Sequence, residues 1–236
     1  MALGAVSMIA NPASAQSRSV VVELFTSQGC SSCPPADELL RKLAGDPDII
    51  ALAYHVDYWD YLGWKDTFGA RANTVRQHNY VGQTNREWIH QRMRGKFTPE
   101  IVVQGTDSLI GHNGTAIGKR INAHLAEPDM AKISMQIEGS DLMVTLTPIG
   151  SPAPDMRVLM VGFLPEETVK IKRGENAGKS VVYANIVSSF EEVAKWQGKE
   201  PLNLKVSNFK LPIAVLLQSG LGGPIVAAHQ LTADPS

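Results

Sequence analysis

The chain reads as an α/β domain with a helical insertion, followed by a mainly antiparallel, sandwich-like β domain. Strand and helix signals alternate up to about residue 126, whereas beyond Glu127-Pro128-Asp129 strands alternate only with turns. The length of 236 residues, 44% of them hydrophobic, is enough to bury a core in one large domain or two small ones. The change of character at residue 129 favours two, with an N-terminal segment over 1–18, an α/β domain over 19–129 and a β-rich domain over 130–236.

Each element follows from its residues. Residues 2–10 are apolar and lead through Asn11-Pro12 to Ala13-Ser14-Ala15 before Gln16, the small-x-small pattern of a signal-peptide cleavage site. A disordered alanine-rich segment is the alternative, and the expected location is periplasmic or secreted. Val20-Val21-Val22-Glu23-Leu24-Phe25 is an apolar run with the length of a buried strand. Ala36, Leu39, Leu40 and Leu43 recur at helical spacing, and Pro34-Pro35 suit a first helical turn, where no intrahelical donor is lost. Gly45-Asp46-Pro47-Asp48 is a turn into a second strand over 49–56, and residues 67–94 read as a helical insertion without proline. Short strands follow over 100–104 and 108–111, then a helix over 115–125. In the second half, strands are expected over 133–137, 142–148, 156–164, 179–188, 202–206, 213–218 and 225–230.

The only two cysteines form Cys30-Ser31-Ser32-Cys33, set where the first strand turns into the first helix. Free amides and the positive end of the helix dipole favour a thiolate there, and the thiolate is the reactive form. A redox couple, with Cys30 attacking and Cys33 resolving, is the leading reading. A structural disulfide closing so short a loop stabilises by only about 2 kcal/mol, and two thiolates fill half of a tetrahedral metal site. Copper(I), which accepts fewer and softer ligands, is the metal such a pair would hold, with His55 and Met93 as further donors. Thr98-Pro99 precedes a short strand; the proline either starts an edge strand or carries a cis bond. Asp57, at the end of the second strand, either caps the next turn or accepts a proton from Cys33 with its pKa raised by burial. Tyr58, Trp59, Tyr61 and Trp64 either wall a substrate groove or pack in the core. The six histidines show no metal-ligand spacing, Gly111-His112-Asn113-Gly114 is a turn, and Lys172-Arg173-Gly174-Glu175-Asn176 reads as a solvated hairpin tip. A net charge of −1 offers no basic stripe for nucleic acid, and no later stretch approaches the roughly 18 apolar residues of a membrane span.

The order of strand, Cys-x-x-Cys helix, strand, helical insertion, Thr-Pro, two strands and helix resembles the thioredoxin fold over 19–126. That resemblance implies a cis Pro99 packed against the dithiol, with the backbone of Thr98 free to pair with a substrate strand. The runs 23–37, His55-Val56-Asp57-Tyr58-Trp59-Asp60 and Phe97-Thr98-Pro99, with Arg173-Gly174-Glu175-Asn176 in the second half, look like the bacterial family named domain of unknown function 1223. Ser31-Ser32 stands where thioredoxin has Gly-Pro, and this dipeptide tunes thiol acidity and potential, so oxidant and reductant roles stay open. The resulting expectation is an exported thiol-disulfide oxidoreductase acting on protein or small thiol and disulfide substrates through a mixed disulfide on Cys30, with no cofactor beyond its own disulfide. A copper-handling module and a redox-inert binding module are the alternatives.

Overall fold

The computed structural model describes residues 18–86, 95–150 and 155–232. The expected signal peptide or disordered segment lies outside the described residues except for Arg18, as do His90 and Met93.

Strand β1 (Val20–Thr26) is buried along its whole length and pairs in parallel with β2 (Ile49–His55), the two being joined by helix α1 (Pro34–Leu43). A continuous apolar run is what a strand covered on both faces requires. Val20, Val22 and Leu24 point to one face, where Ala36 and Leu40 of α1 meet Ile117 and Ile121 of α3 (Gly114–Leu125). Val21 and Phe25 point to the other, beside Ile50, Leu52 and Tyr54. On the far side of β1 lie β4 (Glu100–Val103), β5 (Asp107–Ile110) and the short β3 (Asn85–Arg86). Helix α2 (Arg71–Tyr80) leads into β3.

The second half supplies β6 (Ala131–Glu138), β7 (Asp141–Pro148), β8 (Met156–Lys170), β9 (Ser180–Trp196), β10 (Leu202–Ser207), β11 (Ile213–Ser219) and β12 (Ile225–Leu231). Among the described residues, nine strands form one mixed sheet in the order β12-β11-β8-β9-β2-β1-β4-β5-β3. The sheet β10-β7-β6 covers one end of it, packing Ile133, Leu142, Val144 and Leu146 against Val158, Trp196, Val215 and Leu217. The large sheet curls, since Phe25 of β1 and Leu216 of β11 share one apolar cluster although β2, β9 and β8 lie between their strands. The curl is closed by Gln104, whose carbonyl accepts from the Ile225 amide at 2.9 Å and whose Nε2 donates to the Ile225 carbonyl at 2.6 Å.

This architecture corrects the expected fold class. The chain is not an α/β thioredoxin-like fold with a helical insertion followed by a β sandwich. It is mostly β, with three α-helices among the described residues, and strands from both halves share the large sheet. The junction is β9. At Pro165, which has no N–H to give, the β8 ladder skips a residue opposite Asn185, whose backbone is left-handed at φ 48°. The freed Asn185 side chain donates to the Ala51 carbonyl of β2 at 2.9 Å, and the next residue, Ile186, pairs with Ala53. Among the described residues, the expected helix over 67–94 is helical over Arg71–Tyr80, since Val81 turns extended and Gly82 is left-handed at φ +82°. Residues 87–94 lie outside the described residues.

Candidate functional site

The chain leaves β1 through Ser27-Gln28-Gly29 and enters α1 through a disulfide between Cys30 and Cys33. Cys33 occupies the N-cap position, and the Cys33 amide donates to the Cys30 carbonyl at 3.2 Å. Pro34 and Pro35 bring no N–H to the first turn, and the amides of Ala36 and Asp37 are bonded to the Cys33 carbonyl at 2.8 and 3.1 Å. The helix start therefore offers the sulfurs its dipole more than the free amides that the sequence suggested. Ser31 and Ser32 are exposed, but Cys30 and Cys33 are only 1% and 0% exposed. Ser32 Oγ lies 3.4 Å from Cys30 Sγ.

Three segments close around this turn. The Thr98-Pro99 bond is cis, as the resemblance implied, and Pro99 sits beside the first turn of α1. Gly111 marks the spot: a Cβ there would stand 2.8 Å from Pro99 Cβ and 2.9 Å from Ala36 Cβ, so only glycine lets β5 end so close to both. Trp59 lies against Gly29, where an added Cβ would meet Trp59 Cβ at 3.2 Å, and its indole N–H donates to Thr98 Oγ1 at 2.8 Å. Trp64 donates to Gln28 Oε1 at 2.8 Å, so both tryptophans wall the disulfide turn, while Tyr61 is 78% exposed. The third segment is the loop between β8 and β9. Asn176 Nδ2 donates to the carbonyls of Gln28 at 3.0 Å and Cys30 at 2.8 Å, and Glu175 Oε2 accepts from the Ser31 amide at 3.3 Å. Residues 172–176 thus rest on the disulfide turn through Asn176 and Glu175, while the side chains of Lys172, Arg173 and Glu175 stay exposed.

Between α1 and the ends of β1 and β2 lies a buried polar cluster that sequence reasoning missed. Asp37, one helical turn after Cys33, is buried, accepts from Thr26 Oγ1 at 2.7 Å, and has its Oδ2 without a hydrogen-bond partner. Burial pushes its carboxyl up to about 7, against the opposing pull of His55 and the Thr26 hydrogen bond. His55 Nδ1 meets Asp66 Oδ2 at 2.9 Å, and Asp66 also accepts from the Gln28 amide at 2.7 Å. Burial works to raise the Asp66 carboxyl, but His55 and the amides of Gln28 and Phe68 hold it below the usual range. Tyr183 of β9 packs edge-on to the His55 ring at 4.7 Å. Asp57, by contrast, accepts from Thr74 Oγ1 of α2 at 2.5 Å, and its amide donates back to that hydroxyl at 3.3 Å. Asp37 was legible as a first-turn acid on α1, but its burial depends on strands that sequence reasoning did not bring to α1.

An open groove of about 440 Å³ runs beside the helix start, lined by Pro34, Glu38, Lys179, Ser180, Val181 and Val182. A second cleft of about 310 Å³ lies between Phe68 and Phe190, away from the sulfurs.

The solved structures similar to this chain include two that cover nearly all of it. A protein from Agrobacterium tumefaciens is 32% identical, with 92% of this chain and 95% of that one covered at a TM-score of 0.76. HBP35 of Porphyromonas gingivalis is 12% identical, with 93% of this chain and 76% of that one covered at a TM-score of 0.67, a likeness of fold alone. No curated protein matches the chain. The model of the family described as protein of unknown function (DUF1223) matches residues 21–216, the span that holds the disulfide, the cis proline and the covering loop, and the chain belongs to that family.

Proposed function

We propose that the protein is an exported thiol-disulfide oxidoreductase that works through Cys30 and Cys33. The observation that supports this reading most is a disulfide between its only two cysteines at the start of α1, with a protonatable carboxyl, Asp37, buried one turn below. In the reducing direction the Cys30 thiolate attacks one sulfur of a substrate disulfide, forming a mixed disulfide and expelling the other sulfur as thiolate. Asp37 takes the proton of the Cys33 thiol, and the Cys33 thiolate then attacks Cys30 Sγ. The internal disulfide re-forms and the second substrate thiolate leaves, so two electrons pass from the dithiol to the substrate. The oxidising direction is the same sequence reversed, with Asp37 returning the proton to Cys33. Thr98 and Pro99 shape the face beside the sulfurs.

Replacing Cys33 with Ala removes the resolving thiol and strands the mixed disulfide. Reduced Cys33→Ala protein mixed with a disulfide-linked model peptide should form an adduct that is stable on a non-reducing gel and dissolves with dithiothreitol. No adduct, with Cys30 shown to be alkylatable, overturns the reading.

A further inference from the structure

Resting on the oxidoreductase reading for its functional meaning, we infer that Asn176 is a positioning residue of the disulfide site. Its carboxamide latches loop 172–179 onto the turn that carries Cys30, and thiol exchange at Cys30 waits on release of that loop. The loop is a closed unit: the Ile171 amide donates to the Lys179 carbonyl at 2.9 Å, and the Gly178 amide to the Ile171 carbonyl at 2.8 Å. Gly174 and Gly178, at φ +77° and +86°, supply the left-handed turns. From this exposed loop one side chain is turned inward, for Asn176 is 1% exposed between exposed Glu175 and Ala177. Both protons of its Nδ2 are used, on Gln28 and Cys30, and its Oδ1 accepts from Lys179 Nζ at 2.8 Å. Glu175 adds the bond from the Ser31 amide, and Gly174 lies against Trp64, where an added Cβ would meet Trp64 Cβ at 3.3 Å.

Exchange needs a thiolate in line with the S–S bond, and a sulfur on a residue that is 1% exposed gives an attacker no approach until its cover moves. The cover is suited to moving, because polar bonds around a single carboxamide hold it and it lies outside the apolar clusters of the sheet. Asn176 touches the backbone of the disulfide turn rather than the sulfurs, so it acts by placing Cys30 and its cover.

The test is the second-order rate at which dithiothreitol reduces the oxidised full chain, measured for the native protein, Asn176→Ala, Lys179→Ala and Glu175→Gln. Loss of two amide-to-carbonyl hydrogen bonds should speed reduction by roughly tenfold or more in Asn176→Ala. Lys179→Ala, which frees the carboxamide to turn, should gain severalfold, and Glu175→Gln about twofold or less. A gain that is unchanged between zero and about 1 M urea reports local release, which a merely structural role would not produce. A gain that grows in step with global unfolding, or an unchanged rate in Asn176→Ala, overturns the latch. Should Asn176→Ala fail to fold, the exposed Lys179→Ala decides alone, and an unchanged rate there overturns it. Dithiothreitol reduces any disulfide it can reach, so these rates test the latch by itself. Failure of the oxidoreductase reading shows instead in the reduction potential and in the missing mixed disulfide.

Discussion

Asp37 concentrates the chemistry of the site in one side chain. Its carboxyl stands at about 7 instead of the ordinary 3.8 because burial penalises the ion. The native state therefore holds the Asp37 proton more tightly than the unfolded chain, so the stabilisation is complete below the ordinary value and is lost as pH rises through 7. Between pH 5 and 8 the oxidised protein should lose roughly 2–3 kcal/mol relative to Asp37→Asn, a difference that urea unfolding of both proteins at the two pH values reads directly. A constant difference across that range would remove Asp37 as a titrating group. The same variant should slow release of the second substrate thiolate while adduct formation at Cys30 proceeds, which stopped-flow kinetics separates. Cys30 and Cys33 could be read from residue type and spacing, and the cis Pro99 from the family resemblance. Asp37 and Asn176 could not, because an acid in a first helical turn and an Asn in a charged loop both look solvated until distant strands bury them.

Among elements, the approach of β5 to α1 is the most constrained. Gly111→Ala would drive its methyl into Pro99 and Ala36, both backbone-anchored, and should cost about 1–3 kcal/mol and displace Pro99 from its place beside Ala36 of α1. Differential scanning calorimetry checks the stability loss, and a reduction potential altered in the same variant checks the displacement. Strands β1, β2, β4 and β5 and helices α1 and α3 were legible because each carries a run or period that only one conformation satisfies. The outer halves of β8 and β9 were hidden. Glu166 and Glu167, and Ser189, Glu191 and Glu192, lie beyond the strands expected there, yet Glu166 and Glu167 pair with Ala184 and Tyr183, and Ser189, Glu191 and Glu192 pair with Gly162, Met160 and Leu159.

At the scale of the whole molecule, the sequence could not reveal that β9 would pair with β2, because that junction depends on one bridge at Ile186 and one side-chain bond from Asn185. A buried charge network ties the same regions together. Arg76 of α2 donates to Glu23 of β1 at 2.6 Å and to Gln218 of β11 at 3.2 Å, with Tyr80 bonded to both Arg76 and Glu23. Its guanidinium also lies 4.6 Å from the Phe190 ring of β9. Arg76→Met leaves the Glu23 charge buried without its partner and should cost about 3–5 kcal/mol in equilibrium unfolding. The Cys30–Cys33 turn of the first half is itself held from the second half by Asn176 and Glu175, and the value of that arrangement rests on the disulfide being a working couple. Equilibrating the full chain in glutathione and dithiothreitol buffers, then alkylating free thiols, gives its reduction potential. A value between about −270 and −120 mV is the expected result, in the range of working oxidoreductases, whereas one below about −300 mV marks a structural bridge and contradicts the account.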